Sequence, residues 1–288
     1  MVITLFRGPA VPGWPWLLAA HLLAAALVHG IIVAGNREDA GAPIRLLRGF
    51  YPIPLYLGFY RETELINALV GIPRLDPPLI RADHALFGSQ PSVELMAAAP
   101  NPVLSELLYA AYFSYYFMIV GLGAWLLWRD RPAFRHFVAV VSFSFYVCFA
   151  IYLFVPVVGP RLFFLDSPER DLFVQLYGAT PPPVPEAVQG WPFHGIMQFI
   201  YRNFEAQSAA FPSSHTAVSL VTTYFTWRYL PRLRWIHGIA TALLIISTVY
   251  LRYHYVVDVL AGLFTAALLL PLGNLLYRKI DARHASRS

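Results

Sequence analysis

The stretch Arg252-Tyr253-His254-Tyr255-Val256-Val257-Asp258-Val259-Leu260 opens a long apolar run. His254 and Asp258 are four residues apart, and on a helix that spacing sets both side chains on one face. A carboxylate so placed can hold one imidazole nitrogen, fix the tautomer and leave the other nitrogen free as a nucleophile. Upstream, Phe211-Pro212-Ser213-Ser214-His215 opens a second apolar run. Two histidines, each at the mouth of an apolar helix, point to phosphoryl chemistry on a lipid.

The runs behind these residues decide the fold class. Of 288 residues, 58% are hydrophobic and 13% charged. The mean hydropathy of +0.55 is too high for a water-soluble domain. Crossing a bilayer takes ~20 apolar residues. Runs of that kind occupy Trp14–Ala34, Leu104–Trp128, Phe134–Pro156, Ser213–Leu230, Ile236–Leu251 and Val256–Tyr277. The expected fold is all-α: a polytopic membrane helix bundle of about six transmembrane helices with interfacial helices, one integral domain over 1–288 with its core in 104–277. Trp14–Ala34 is long for a signal-peptide core and is expected as a retained span. Ile44–Ile72 carries Arg45, Arg48, Arg61, Glu62 and Glu64, a charge density that favours an interfacial amphipathic helix; a seventh crossing there would invert the N-terminus.

The net charge of +5 comes from arginine, with Lys279 the single lysine. Arg129, Arg131 and Arg135 cluster after the second span, Arg228, Arg232 and Arg234 after the fourth, and Arg278, Lys279 and Arg283 after the sixth. Alternating spans bring all three clusters to one side, which the positive-inside rule makes cytoplasmic. His215 and His254 then emerge together on the extracytoplasmic face of a multi-pass protein, expected in a bacterial inner or plasma membrane. Arginines scattered through short loops do not form a nucleic-acid surface. Cys148, the one cysteine, lies inside an apolar run and reads as packing. The segment from Val157 to about Phe211 holds Pro181-Pro182-Pro183, Pro185, Trp191, Phe193 and Phe199. A loop so long and so apolar is expected as an extracytoplasmic lid of short interfacial helices.

At Pro212-Ser213-Ser214-His215, proline suits the first turn of a helix, whose N–H groups and dipole favour an anion. Ser213 and Ser214 add hydroxyl donors, and His215 would serve as general acid to a leaving oxygen. The bland reading is an N-terminal cap. His254 and Asp258, ionisable at a membrane segment, are a functional expectation by default. Attack by His254 on phosphorus would give a phosphohistidine, discharged to a second acceptor. Arg161, aimed by Val158-Gly159-Pro160, and Arg252 supply guanidinium forks for phosphate; either would also serve as an interfacial anchor. Asp83–Gly88 and Gln90-Pro91 are expected to fix an interfacial helix. Tyr109, Tyr112, Tyr115 and Tyr116 form a stripe expected to pack in the interior.

Together, Pro212–His215 and His254–Asp258 resemble the second and third motifs, Pro-Ser-x-His and His-x3-Asp, of the type-2 phosphatidic acid phosphatase superfamily. The resemblance covers about Leu104–Tyr277. It implies His254 as nucleophile, Asp258 as its orienting partner and His215 as acid and base, with no metal and no cofactor. The lipid phosphatases of that group carry Lys-x6-Arg-Pro; aligned on Arg161, the lysine position is Phe154 and the proline position Leu162. Their Ser-Arg before the nucleophile is here Ser247-Thr248. The pattern Arg-x-His-Tyr-x2-Asp-Val is similar to inositol phosphorylceramide synthase and sphingomyelin synthase, which move phospho-headgroups between lipids. It implies a phospholipid substrate and an acceptor that is water or a lipid alcohol. A diester carries less charge than a monoester, so fewer cations suffice.

Two other classes compete. A transporter would line a proton or anion path with the same histidines, Asp258 and arginines, although the other spans hold few ionisable groups and no internal repeat is visible. A zinc hydrolase would recruit His215, His254 and Asp258 with His194 or Glu205, but spacing supplies no third strong ligand.

Overall fold

The apolar runs fold as helices, and their starts are written in short polar-proline signals. The computed structural model describes residues 13–204 and 208–285. Asn101 accepts the N–H of Leu104 at 2.9 Å and starts α6, Pro102–Arg129. Asp130 accepts the N–H of Ala133 at 2.9 Å and starts α7, Arg131–Phe154, so a single residue separates the two helices. Side-chain oxygens of this kind satisfy N–H groups left unpaired in a first turn. Ahead of them run α1 (Trp14–Gly35), α2 (Ala42–Phe50), α3 (Pro52–Val70), α4 (Asp76–Phe87) and α5 (Pro91–Ala98). After them come α8 (Pro168–Tyr177), α9 (Pro192–Phe204), α10 (Ser214–Tyr229), α11 (Arg234–Tyr250) and α12 (Val256–Ala285). Among the described residues there is no strand, only an isolated bridge between Val157 and Ala209. The architecture is the expected all-helical polytopic bundle.

Among the described residues, five helical stretches are long and apolar enough to cross a membrane: Trp14–Gly35, Pro102–Arg129, Arg131–Phe154, Pro231–Tyr250 and Val256–Arg283. The expected sixth, Ser213–Leu230, forms the 16-residue α10, which is short for a span. It is packed among α6, α7, α11 and α12, so its surface meets protein. That position explains its composition. Ser219, Thr222 and Thr226 return their hydroxyls to carbonyls at 3.0, 2.8 and 3.2 Å within the helix, leaving no hydroxyl hydrogen unsatisfied toward neighbouring helices.

The charged segment 44–72 packs along the bundle. It runs beside α7 in the same direction. Phe50 meets Phe134 (5.7 Å between centroids), Tyr56 stacks on Phe145 (4.6 Å), Tyr60 meets Phe149 (6.2 Å), and Asn67 donates to the Tyr152 carbonyl at 3.0 Å. From Phe50 to Asn67 the helix covers roughly 25 Å at 1.5 Å per residue. Its charges concentrate near the far end, where Glu62 pairs with His21 of α1 at 2.8 Å. At the other end Arg48 donates to the Gly35 carbonyl at 3.1 Å, so α1 lies antiparallel to α2–α3.

Packed along α7 over this length, α3 is proposed as a further crossing beside the five stretches above. With buried Cys148 silent, single cysteines introduced by Glu38→Cys and Asp130→Cys are expected to react with a membrane-impermeant maleimide from one side of the bilayer, and Arg74→Cys from the other. Labelling of Glu38→Cys and Arg74→Cys from the same side would show that α3 does not cross.

Candidate functional site

The site is built where three chain reversals meet at one end of the bundle. The first joins α11 to α12. Arg252 adopts a left-handed conformation (φ 66°), and the N–H groups of Tyr253 and His254 both donate to the Thr248 carbonyl at 2.9 Å. His254 therefore stands in the turn before α12 and not on the helix, contrary to the simple i, i+4 picture. The pair survives the change. Asp258, in the first turn of α12, accepts the N–H of Tyr255 at 3.0 Å through Oδ2, and the same oxygen lies 3.3 Å from His254 Nδ1. Both side chains are buried.

The second reversal starts α10. The helix begins at Ser214, so Pro212 precedes its first turn. The Ser213 hydroxyl caps it, accepting from the N–H of Thr216 (3.3 Å), while the Ser213 N–H donates to the main-chain carbonyl of Asp258 (3.1 Å). Gly262 permits this contact, since a Cβ there would lie 2.6 Å from the Ser213 carbonyl oxygen. The result brings His215 Nδ1 to 3.5 Å from His254 Nε2, at the outer limit of a hydrogen bond. The Tyr112 hydroxyl lies 3.0 Å from His215 Nε2, and the ring packs on Tyr112 and Tyr115.

The third reversal, Val157–Arg161, follows α7. Asp76 accepts the N–H of Gly159 (2.8 Å), the N–H of Val158 (3.1 Å) and the Tyr255 hydroxyl (3.2 Å), tying this turn to that of His254. Gly159 has φ 101°, and a Cβ there would lie 2.8 Å from the Tyr253 carbonyl oxygen. Arg161 follows, its guanidinium 5.9 Å from the centre of the Tyr201 ring and close enough to act on His254. Burial, then the neighbouring His215 and the charge of Arg161, hold the His254 pKa well below its usual 6.5, so the ring is neutral.

His215, His254, Asp258 and Arg161 thus converge. Ser214 lies beside His215 at the end of an apolar cavity. Ser213 is committed to the helix cap. Arg252 points elsewhere: its guanidinium donates to the carbonyls of Pro182 (2.9 Å), Pro183 (3.4 Å) and Val93 (3.4 Å) and covers the Phe164 ring. Burial lowers its pKa to about 10. It straps the proline-rich loop and is not turned to phosphate. His194 rests on Tyr109 and accepts the N–H of Gly190 at 3.2 Å. Among the described residues no three His, Cys, Asp or Glu side chains gather as metal ligands; Glu205 lies outside the described residues.

Reading residue types passed over several supports. Asp83 accepts the N–H groups of Val256 and Val257 at 2.9 and 3.0 Å and so caps α12. Its helix does fix an element, as expected, but the element is the one carrying Asp258. Glu106 caps α9 through the N–H groups of Phe193 (2.6 Å) and His194 (3.2 Å). Tyr112 was read as packing, yet its hydroxyl reaches His215. Asp76 had no visible signal, because its partners, two backbone N–H groups and the Tyr255 hydroxyl, are more than eighty residues away.

Residues 77–272 match the sequence profile of the PAP2 superfamily. A PA-phosphatase related-family protein of Dictyostelium discoideum is 28% identical over 178 residues, covering 55% of this chain and 30% of that protein. The match therefore spans under a third of that relative's length. No solved structure matches the chain. Two histidine motifs meeting at one carboxylate-supported point, and a profile match across most of the helices that bring them there, establish that the chain belongs to the PAP2 superfamily.

Proposed function

We propose that this protein is a membrane lipid phosphotransferase that forms a phosphohistidine on His254 and acts at the extracytoplasmic face. Membership of the superfamily and the apolar helices support a lipid phosphatase-type activity. The observation that carries the finer reading is the 3.5 Å approach of two imidazoles, one of them backed by Asp258.

In this mechanism Nδ1–H of His254 donates to Asp258, leaving the Nε2 lone pair to attack phosphorus. As the N–P bond forms, the P–O bond to the departing alcohol breaks and His215 gives that oxygen its proton. Water or a lipid alcohol then approaches, His215 removes its proton, the new O–P bond forms and the N–P bond breaks. Arg161 neutralises charge on the non-bridging oxygens. A reacting phosphorus needs about 3–3.5 Å to the nucleophile, and the leaving oxygen a further hydrogen-bond length to its acid. His215 therefore swings away from His254 as substrate enters. Arg252 is engaged with the loop carbonyls, so the phosphate has one fewer cation than Arg161 and Arg252 together would provide. This supports transfer of a phospho-headgroup from a singly charged diester; hydrolysis of a lipid monoester or diphosphate is the alternative within the same superfamily. The arginine clusters at the opposite end of the bundle support the extracytoplasmic placement. In this reading the core is 104–277 and residues 157–211 form its lid.

His254→Ala and His215→Ala are expected to abolish turnover, by at least about a thousandfold, with membrane insertion and thermal stability retained. Mass analysis of products from labelled phospholipids, with and without lipid-alcohol acceptors, checks this and separates transfer from hydrolysis. Full activity in both variants would refute the mechanism.

Arg161→Ala is expected to cost ten- to a hundredfold in kcat/KM, about the worth of one or two charge-assisted bonds. Arg252→Ala acts instead on the loop, and should lower Tm and raise protease cleavage near Pro181–Pro185 more than it lowers turnover of the folded fraction.

The pH dependence has a definite sign. His254 attacks as the neutral ring, and its lowered pKa keeps it neutral into acid. With a phosphodiester substrate that does not itself titrate, the acid limb of kcat/KM should lie below pH 6.5. A rate already halved at or above that pH contradicts the assignment.

A further inference from the structure

The cavity that ends at His215 has a volume of about 400 Å³ and is lined almost wholly by apolar atoms. One wall is α3, through Ile53, Leu57 and Tyr60; the facing wall is α6, through Tyr116 and Val120. The back is Phe145 and Phe149 of α7, and the roof is α9, through Met197, Ile200 and Phe204.

The helices explain this shape. Near the arginine-rich end the α2–α3 arm and α6 close together through α2, since a Cβ on Gly123 of α6 would lie 3.7 Å from the Phe50 ring and one on Gly49 would lie 3.4 Å from Leu127. Toward His215 they diverge, and the wedge between them is the cavity. Its rim residues Leu57 and Val120 are 49% and 42% exposed, so the wedge opens sideways onto the apolar flank of the bundle. From Tyr112 to Val120 it runs roughly 12 Å at 1.5 Å per residue. That is less than half of a hydrocarbon core ~30 Å thick. The interior end is Ser214 and His215; His254 is not part of the lining.

We propose that this wedge holds one hydrocarbon chain of the lipid alcohol whose oxygen His215 serves, with the remainder of the chain passing out into the bilayer. The assignment rests on the reaction proposed above and adds to it which side of the phosphorus carries the chain. The occupant is committed by three features: the lining has no charge, the mouth faces the lipid side of membrane-length helices, and the inner end is the acid–base histidine. A headgroup retained on phosphorus would then lie on the side of His254 and Arg161. Because lipid tails are as apolar as the wedge, the slot gains little by transfer; it acts by fixing where the ester oxygen sits. The wall at 53–60 precedes the matched residues 77–272, so it is contributed by a part of the chain outside the superfamily profile.

The test uses the full chain in lipid nanodiscs and phosphodiesters of single-chain alcohols from butyl to hexadecyl, one bearing a diazirine near the head of the chain. Photolabel is expected within residues 53–60 and 116–120. Leu57→Trp and Val120→Trp, both at the exposed rim, should lower the hexadecyl-to-butyl ratio of kcat/KM by about tenfold, as misplacement of a reacting atom does. Leu263→Trp, on the outer flank of α12, should leave that ratio unchanged. Label confined to flank residues such as Phe264 and Leu268, or a ratio unmoved in both tryptophan variants while His254→Ala still abolishes turnover, would overturn the wedge and leave the reaction standing. Label in the wedge with no turnover of any phosphoester would condemn the reaction and leave a chain-binding site.

Discussion

Buried carboxylates that accept backbone N–H groups hold the His254 end of the bundle together. Asp76 ties Val158, Gly159 and Tyr255 into one knot; Asp83 caps Val256 and Val257; Asp258 takes the N–H of Tyr255 and faces His254. A carboxylate removed from water is costly unless several donors reach it. Here the donors are the loose amides of chain reversals, which would otherwise be unpaired themselves. Each group answers the other's need, and the by-product is two turns held in fixed register. Arg161 and His254 occupy them, so their relation is set by bonds to the main chain and not by their own flexible side chains.

The third turn depends on close packing. The Ser213 amide meets the Asp258 carbonyl only because Gly262 has no side chain. His215 thereby comes to His254 from a separate helix, and Tyr112 and Tyr115 hold its ring from α6. The helix that presents it, α10, is the most polar of the long ones and lies inside the others. Ser219, Thr222 and Thr226 spend their hydroxyls on its own carbonyls and Thr223 meets Thr241 of α11 at 2.6 Å, which lets a Ser/Thr-rich helix fill the centre of an apolar bundle.

What the sequence disclosed follows from range. Apolar length is a local property, so the long helices were legible to within a few residues, the C-terminal end of α12 excepted. The pairing of His254 with Asp258 was legible for the same reason, although the backbone between them is a turn and not a helix. Arg252 misled because its neighbourhood in sequence is the site while its guanidinium crosses to Pro182 and Pro183, seventy residues earlier. Asp76, Glu106 and Tyr112 were hidden because their partners are distant amides or a ring on another helix. The partners of segment 44–72 along α7 were hidden for the same reason; its charges stand toward its two ends, Arg45 and Arg48 in α2 and Arg61, Glu62 and Glu64 late in α3.

The bridge between Val157 and Ala209, with the Ala210 amide on the Val157 carbonyl at 2.9 Å, pinches the long excursion at its root. A loop whose two stems already touch can be lengthened cheaply, since doubling it adds only about 0.6 kcal/mol of closure entropy. Insertions at its exposed turn 178–180 can thus lengthen the excursion while α9, capped by Glu106 and roofing the cavity, keeps its place.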